Sequence, residues 1–539
     1  MKRFAWVFAF SGACATPDAP AWFDPDPVAP VADPAASPAP ALVLNEVMAD
    51  NESVVMTPAL AFADWVELYN AGDADIDLSR ATLAEDEGGT SWVGRDTLAP
   101  GQRRLLWATG EVGPYTLPFA LDADGDTLVL AWDGVPIDRI ATGPLPVDTA
   151  WARFPDGGAW AVTARPTPGA PNGAAPPDTL DPTDAIFDPT VVHALDLLIS
   201  DEGLRSLDAS PYTQVEASLG FQGAWFPRVG VAAKGVYGSL RATSGKIALK
   251  LDLNDYESHH LRGLEHLTLN NMVQDPSAVH EVITYAWLRE RGIPAPRTGW
   301  VRLTINGEDR GFYLLVETTD EHMLARWFDD ATGQLWEGAY GVDLEESELS
   351  AFEYDSGPDV PDYTALAAVT AILDGAPTDA AVAELETWVD LDQLLAVLAF
   401  EAVSYHWDGY TTANNYRLYE DPGSGRIHMM PWGLDQTWVN AYYGPWDGEG
   451  RMFRFCIANA GCRARYDQAL LDWADAVATS DLEGDVAAVL PLVRAQLATD
   501  PYFEADMPTQ RGWTDATLDT LRTWPAQVRA AAEADLAAL

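Results

Sequence analysis

Two segments rich in proline, alanine and aspartate divide this chain and require more than one domain. They span residues 16–41 and 173–189, and segments of this kind bury little surface and stiffen towards polyproline II. Between them, residues 42–172 carry short runs of alternating apolar and polar residues separated by Gly, Asp and Pro, a pattern typical of an all-β sandwich. Residues 190–539 combine strand and helix patterns. The sequence therefore predicts a β-sandwich followed by a larger α+β domain, each with its own core.

Residues 1–15 have the pattern of an export signal. Two basic residues precede an apolar run over 4–10, and Ser-Gly-Ala stands directly before Cys14. This resembles a bacterial lipoprotein processing site and predicts a lipid on Cys14; cleavage by an ordinary signal peptidase near Ala15 is the alternative. No later stretch has the ~20 continuous apolar residues that a transmembrane helix needs. We expect an extracytoplasmic protein, either secreted or attached to the cell envelope only through lipid.

The charge of the chain excludes one class of partner. The formal net charge is −50, and a nucleic-acid phosphate backbone would be repelled by it. Such a charge suits a soluble protein outside the cytoplasm, or one that binds cations or basic proteins.

Besides Cys14, the chain has two cysteines, Cys456 and Cys462, separated by five residues. In an oxidising compartment such a pair closes a small loop, and we predict a disulfide. A zinc site is the alternative, but two thiols with no nearby histidine make a poor one.

The first domain resembles the lamin-tail domain, an immunoglobulin-like sandwich. The matching segments are Asn45-Glu46-Val47, Asp64-Trp65-Val66-Glu67-Leu68-Tyr69-Asn70 and Thr167-Pro168-Gly169-Ala170-Pro171-Asn172. The resemblance implies a binding or spacing module without catalytic residues. The acidic segment Asp122–Asp126 could suggest calcium, but it lacks the later bidentate Glu of an EF-hand loop, and a polar hairpin turn is the interpretation we favour.

The lysines of the chain are few and clustered. There are four, and apart from Lys2 they are Lys234, Lys246 and Lys250. Residues 246–254 alternate with period two, which predicts a strand whose Lys246 and Lys250 point away from the core to the same side. An ammonium group suits a phosphate oxygen, which indicates a phosphate-binding role. The alternative is that three surface lysines lie near one another by chance.

Lys234 opens a glycine turn that includes Gly235, Gly238 and Ser239, whose backbone could approach a ligand closely. The turn is not a P-loop, because Leu240 stands where that motif needs its first glycine.

A helix follows over 275–292, with Asp275 as its N-cap, Pro276 in its first turn and Gly292 as its stop. Glu281 lies off the apolar stripe of this helix, free to reach a lysine across a cleft or to meet water. After it, a hairpin turns at Asn306-Gly307.

Two acids are predicted to meet at the open end of a second hairpin. An apolar helix over 391–405 leads to Asp408, and strands over 414–421 and 426–432 are joined by a turn at 422–425. Folding about this turn brings Asp408 and Asp435 to the same end, together with Asn414 and Asn415. Such a set suits a magnesium ion and a base that orients a hydroxyl nucleophile. The alternative is that the acids cap turns and the amides pair with backbone.

This region, about 190–470, resembles the CotH kinase family of atypical kinases. The matching segments are Lys234-Gly235 with Gly238-Ser239, Asn270-Asn271-Met272-Val273-Gln274-Asp275-Pro276-Ser277, Ala295-Pro296-Arg297, Asn306-Gly307, Gly311-Phe312-Tyr313, Asn414-Asn415-Tyr416-Arg417-Leu418-Tyr419 and Pro431-Trp432-Gly433-Leu434-Asp435-Gln436-Thr437. It implies a protein-kinase-like fold that uses ATP and Mg2+.

Residue roles follow from the same resemblance. Asp408 would be the catalytic base and Asp435 the metal ligand, with Asn414 or Asn415 completing the magnesium site. Lys246 or Lys250 would hold the nucleotide phosphates, with Glu281 as a candidate partner, and Lys234 and Ser239 would belong to the nucleotide-binding turn.

The sequence departs from the family at Gly433, where many members have an additional acid. The resemblance thus implies one of two functions. The chain is an exported kinase that phosphorylates Ser or Thr of an envelope protein, or a weak or inactive surface lipoprotein that serves in adhesion or assembly.

Overall fold

The computed structural model describes residues 39–85, 90–176, 180–236, 238–275, 277–438, 443–503 and 513–538. Cys14 and the predicted export signal lie outside the described residues. The strands are β1 (Leu42–Met48), β2 (Trp65–Asn70), β3 (Ile76–Asp77), β4 (Ala81–Ala84), β5 (Trp92–Val93), β6 (Thr97–Leu98), β7 (Arg103–Trp107), β8 (Thr127–Trp132), β9 (Val135–Ala141), β10 (Ala150–Phe154), β11 (Ala159–Thr163), β12 (Val192–Ile199), β13 (Val215–Phe221), β14 (Ala224–Lys234), β15 (Ala248–Asp252), β16 (His266–Asn270), β17 (Thr298–Ile305), β18 (Glu308–Val316), β19 (Leu335–Glu337), β20 (Glu353–Ser356), β21 (Tyr416–Asp421) and β22 (Arg426–Pro431).

The helices are α1 (Asp201–Ala209), α2 (His280–Glu290), α3 (Glu321–Leu324), α4 (Thr364–Leu373), α5 (Asp379–Leu385), α6 (Leu391–Ser404), α7 (Arg451–Ala458), α8 (Ala460–Thr479), α9 (Leu482–Leu497) and α10 (Trp513–Leu536). Within the described parts of the chain, no helix combines the length and the apolar character needed to cross a membrane.

The N-terminal domain is a β-sandwich, as the alternating pattern predicts. Two main sheets, β11-β10-β1-β2-β7 and β5-β4-β8-β9, enclose a core of Leu44, Val66, Leu68, Leu128 and Leu130. Its polar signature residues are buried hydrogen-bond partners: Glu46 accepts the N–H of Thr167 over 3.0 Å, and Glu67 accepts that of Gly169 over 2.7 Å. Hydrogen bonds to these two acids therefore hold the C-terminal segment of the domain, at Thr167 and Gly169, against β1 and β2.

The next unit is a closed barrel of seven strands in the order β12-β13-β14-β15-β16-β18-β17. Leu197, Leu219, Val231, Leu249 and Leu303 are among the side chains that fill its core. The pairing of β12 with β17 is parallel, while the other pairs are antiparallel. Residues along the strands alternate between the barrel core and the outer face. On β17 and β18 the outer residues Trp300 and Leu314 belong to the core of the helical unit.

Both neighbouring segments are packed into this barrel. Ile186 and Phe187, which belong to the second proline-rich segment, are buried in its core. From the sandwich, Met56 and Phe62 pack against the same core, and the Phe62 ring lies 5.5 Å from that of Phe226. The sandwich is thus attached to the barrel by apolar contacts as well as by the chain.

The remaining unit combines a sheet of order β20-β19-β21-β22 with helices α2, α6 and α8. The helix core includes Trp287, Leu398, Phe400 and Trp473. A disulfide between Cys456 and Cys462 connects α7 to α8, which confirms the predicted pairing.

The two predicted hairpins are present. Strands β17 and β18 turn at Asn306 and Gly307, which both have positive φ. Strands β21 and β22 pair from Tyr416↔Pro431 to Asp421↔Arg426. The helix predicted over 275–292 is shorter: it begins at His280, its N-cap is Val279, and Asp275 instead accepts the N–H of His280 from the preceding turn. Pro276 lies outside the described residues.

Candidate active site

Asp408 lies in the loop that follows α6. The helix ends at Ser404 because Tyr405 adopts a left-handed conformation, with φ of 56°. The side-chain amides of Asn414 and Asn415 donate to the two carboxylate oxygens of Asp408, each over 2.9 Å. Burial raises the pKa of Asp408, and the two hydrogen bonds lower it. The two amides therefore fix the orientation of the Asp408 carboxylate, and all three side chains belong to the same stretch of chain between α6 and β21.

Asp435 lies just beyond the other end of the hairpin. The N–H of Trp432 donates to the carbonyl of Asn415 over 2.9 Å, which holds the two ends together. Gly433 then turns the chain with φ of 62°, and a short 3-10 helix, Leu434–Gln436, carries Asp435. Burial raises the pKa of Asp435 well above its usual range, and the negative charges of Glu281 and Asp408 raise it further. The fold thus brings the two acids of the hairpin into one electrostatic environment.

Helix α2 holds this acidic loop along one face. His280 Nδ1 lies 2.9 Å from the carbonyl oxygen of Asp435. The N–H of Gly433 donates to the Tyr285 hydroxyl over 3.2 Å. The hydroxyl of Thr284 accepts the indole N–H of Trp438 over 3.0 Å. The loop and the helix therefore form one hydrogen-bonded unit.

Glu281 lies inside this unit and not in solvent. It is 2% exposed, and its carboxylate accepts the side-chain amide of Asn270. Burial raises its pKa to about 7, while Lys234 lowers it. Of the two possibilities open for Glu281, the structure excludes solvent exposure: the carboxylate is buried, contacts Asn270 and is subject to the positive charge of Lys234.

Lys234 lies at the end of β14. Burial lowers its pKa, whereas Glu281 and Asp435 raise it. The Lys234 ammonium also lies 5.2 Å from the centroid of the Trp432 ring. The opposite charges of Lys234, Glu281 and Asp435 thus form the centre of the candidate site.

Lys246 is not in this site, so the strand-parity prediction is wrong for it. The strand begins at Ala248, two residues later. The Lys246 ammonium is fully buried against the Asp500 carboxylate and lies 5.3 Å from the Tyr313 ring. Asp500 also accepts the N–H of Phe312 over 2.9 Å. Lys246 therefore joins a C-terminal segment to the barrel.

Lys250 does point outwards, as predicted. It pairs with Ala232 across β14 and β15, beside the Lys234↔Ala248 pair, so both side chains share the outer face of the barrel. Lys250 is exposed, and its positive charge lowers the pKa of Asp355. It lies at the open side of the site, whereas Lys234 lies inside it.

The glycine turn after Lys234 is held by Asn271. The Asn271 amide donates to the carbonyls of Ser239 and Lys246, over 2.9 and 2.7 Å. Gly235 and Gly238 have φ of 90° and 79°, and a side chain on Gly235 would collide with the Ser239 hydroxyl. The turn needs glycine at this position for both reasons. Tyr237 lies outside the described residues.

Residues 234–527 match the family model of the CotH kinase protein. This chain belongs to the CotH kinase family. Residues 35–144 match the Lamin Tail Domain. The CotH match begins at Lys234 and includes every acid and amide described above.

Two curated relatives show the range of this family. The chain is 24% identical over 272 residues to the Inner spore coat protein H of Bacillus subtilis. The aligned region covers 47% of this chain and 74% of that protein. It is 25% identical over 282 residues to Invasin CotH2 of Rhizopus delemar, which covers 46% of this chain and 48% of that protein. The chain thus spans about half the length of the second relative.

Gly433 adjoins the amide that holds Asp408. A Cβ atom on Gly433 would lie 2.9 Å from the side-chain carbon of Asn415. An acid here would therefore displace Asn415 or would need another path for the loop.

Four site residues were missed from the sequence: Asn270, His280, Tyr285 and the Trp432 ring. One signal was available, because Glu281 and Tyr285 are four residues apart and lie on the same side of a helix. The buried positions of Asn270 and His280 depend on contacts with segments distant in the chain, which no local pattern records.

Among the described residues, no group of three or more His, Cys, Asp or Glu side chains is arranged to hold a metal ion. The acids of the site are instead distributed around Lys234.

Proposed function

We propose that this protein is an exported phosphotransferase that transfers phosphate from ATP to Ser or Thr of an envelope or surface protein. The observation that carries the proposal is the convergence of Lys234, Glu281, Asp435 and Asp408 from four separate segments. A half-buried lysine under the charge of a buried glutamate, together with an acid and an oriented second carboxylate, supplies the groups that phosphoryl transfer requires.

Magnesium fits the donor set of this site. Three carboxylates, Glu281, Asp435 and Asp275, repel one another there, and the positive charge of Lys234 partly offsets this repulsion. Mg2+ prefers oxygen ligands and is commonly held by one or two carboxylates together with substrate phosphates. We assign Asp435 and the side-chain oxygen of Asn414 or Asn415 as its protein ligands. The ion would neutralise phosphate charge when bound.

Asp408 is proposed as the base. The acceptor hydroxyl loses its proton to Asp408 as its oxygen bonds to the γ-phosphorus, and the bond to the β-phosphate oxygen breaks to release ADP. Asn414 and Asn415 keep the carboxylate aimed at the hydroxyl, since both of its oxygens are engaged by amides. Positioning and charge neutralisation would supply most of the rate.

Lys234 is the proposed phosphate-binding lysine, oriented by Glu281. Lys250, which is exposed on the same face, would contact the outer phosphates, and the backbone of the turn that ends at Ser239 would cover them. Location is part of the proposal: the protein functions outside the cytoplasm and is anchored by lipid on Cys14. Cys14→Ala should move the protein from the membrane fraction to the soluble fraction.

One observation favours a second function. The sandwich is packed against the barrel through Met56 and Phe62, and Gly433 stands where the family resemblance implies a further acid. A rigid two-domain surface protein with weak or no transfer activity would serve in adhesion or assembly.

The test is phosphate transfer and nucleotide binding by the purified protein. It is incubated with Mg-ATP and a Ser-rich basic acceptor, and ATP binding is measured by calorimetry. Lys234→Met and Asp435→Ala should abolish transfer, while the exposed Asp359→Ala should leave it unchanged. Absence of both nucleotide binding and transfer in the wild-type protein would exclude the enzyme and leave the assembly function.

A further inference from the structure

The indole ring of Trp432 lies beside two cations. Lys234 Nζ is 5.2 Å from its centroid and Arg417 Cζ is 5.0 Å from it, within the range of cation–π attraction. The backbone N–H of Trp432 donates to the Asn415 carbonyl, which holds the main chain of Trp432 at the junction between the hairpin and the loop of Asp435, and the two cations lie beside its ring. The position of the ring therefore affects where the Lys234 ammonium settles.

Arg417 is fixed by three separate segments. Its guanidinium donates to Glu337 of β19, to Asp355 of β20 over 2.6 Å and to the Thr319 carbonyl over 3.3 Å. The residue is 4% exposed. An arginine held in this way cannot move without leaving two carboxylates partly buried and unpaired.

Those two carboxylates act electrostatically on the lysines of the site. Burial lowers the pKa of Lys234, and the negative charge of Glu337 is among those that oppose this shift. Burial raises the pKa of Asp355, and the positive charges of Arg417 and Lys250 oppose that rise. Without Arg417, Glu337 and Asp355 would attract both lysines and repel a polyphosphate entering between them.

We propose that Arg417 is a positioning residue for the nucleotide phosphates: it neutralises Glu337 and Asp355 and fixes the Trp432 ring beside Lys234, so that both lysines stay available to the phosphates. This inference rests on the proposed function. It assigns Arg417 no contact with ATP.

The test separates charge from packing. Arg417→Gln should raise the KM for Mg-ATP on the order of tenfold, with a smaller change in kcat, because binding of the phosphates and not the chemical step is disturbed. Arg417→Gln combined with Glu337→Gln and Asp355→Asn should return the KM close to the wild-type value. Arg417→Lys keeps the positive charge but lacks the planar guanidinium that donates to both acids, so it should give an intermediate KM.

Arg80 provides a matched control on the sandwich. It pairs with Asp133 and lies 4.7 Å from the centroid of Trp132, so Arg80→Gln removes the same kind of contact far from the site and should leave the KM unchanged.

Three outcomes would overturn the inference: an unchanged KM in Arg417→Gln, a KM that the triple variant does not restore, or an equal rise in Arg80→Gln. If Arg417→Gln does not fold, the triple variant, which has no unpaired acids, is compared with Arg417→Lys and the wild type. A wild-type protein that neither binds Mg-ATP nor transfers phosphate would instead end the proposed function itself, which separates the two failures.

Discussion

The ring nitrogen Nδ1 of His280 lies 2.9 Å from the main-chain oxygen of Asp435. His280 is the first residue of α2, and its ring is 1% exposed. The contact therefore fixes the position of the Asp435 loop relative to α2, the helix that also carries Glu281. Loss of this contact should therefore displace both Asp435 and Glu281.

His280→Phe is expected to lower the rate of phosphate transfer at least about tenfold, because the loop of Asp435 loses its tie to the helix. The stability loss should be about 1–2 kcal/mol, from one buried carbonyl without a partner. Rates with Mg-ATP and denaturant unfolding measure the two effects. Thr284→Val, which disturbs the same helix at Thr437 and Trp438, should reduce stability with little loss of rate. Equal effects on the rate would contradict a specific role for His280.

The meeting of Asp408 and Asp435 could be predicted because it is a local event. A hairpin fixes which residues emerge at its open end once its turn is recognised. The sandwich was likewise predictable, since alternation with period two and turn residues are properties of short segments.

The lysines could not be sorted in the same way. Lys246 has the parity of Lys250, but its partner Asp500 is 254 residues away, and no local pattern shows that the strand begins only at Ala248. The local sequence places Lys234 at a turn, and only the three-dimensional fold brings it under the charge of Glu281 in α2.

Lys246→Met should destabilise the protein by about 3 kcal/mol or more, because it leaves the Asp500 carboxylate buried without its cation. Asp500 is also bound by the N–H of Tyr502 over 2.8 Å, so its segment should loosen as a whole. The free energy of unfolding in urea checks this. Lys246→Met combined with Asp500→Leu should recover part of the loss, and a double variant less stable than the single one would contradict the argument.

Gly433→Ala should weaken both the fold and the site. A residue with a Cβ at φ of 62° costs about 1 kcal/mol relative to glycine, and the new methyl would press on the Asn415 amide that binds Asp408. We expect a lower kcat together with the stability loss. The exposed Gly101 also has a positive φ, of 72°, with no atom near its missing Cβ; Gly101→Ala should therefore cost similar stability without changing kcat. An unchanged kcat in Gly433→Ala would show that the Asn415 amide is not needed there.

The dependence of the transfer rate on pH should reveal the state of Asp408. Burial raises its pKa above that of an ordinary aspartate, and the base must be ionised, so activity should fall on the acid side at a higher pH than usual. Asn415→Ala removes a hydrogen bond that lowers this pKa and should move the acid limb of kcat to still higher pH. Asn254→Ala, on the exposed surface, should leave the limb in place. If the acid limb of kcat in Asn415→Ala stays at the wild-type pH or moves to lower pH, Asp408 is not the base.

Stability should fall as pH rises because of the buried acids of the sandwich. Burial raises the pKa of Glu46 from 4.5 to about 8 and that of Glu67 to about 7. The folded state then binds more protons than the unfolded state between 4.5 and these values, so stability is greatest at the acid end of that window and is lost as pH rises through it.

Glu46→Gln keeps an oxygen that accepts the Thr167 N–H and removes the titration. We expect this variant to flatten the decline in melting temperature of the full chain over that window and to be the more stable form at its alkaline end. Glu111→Gln, on the exposed surface, should reproduce the wild-type decline. An equally steep decline in Glu46→Gln would mean that Glu46 does not carry the effect.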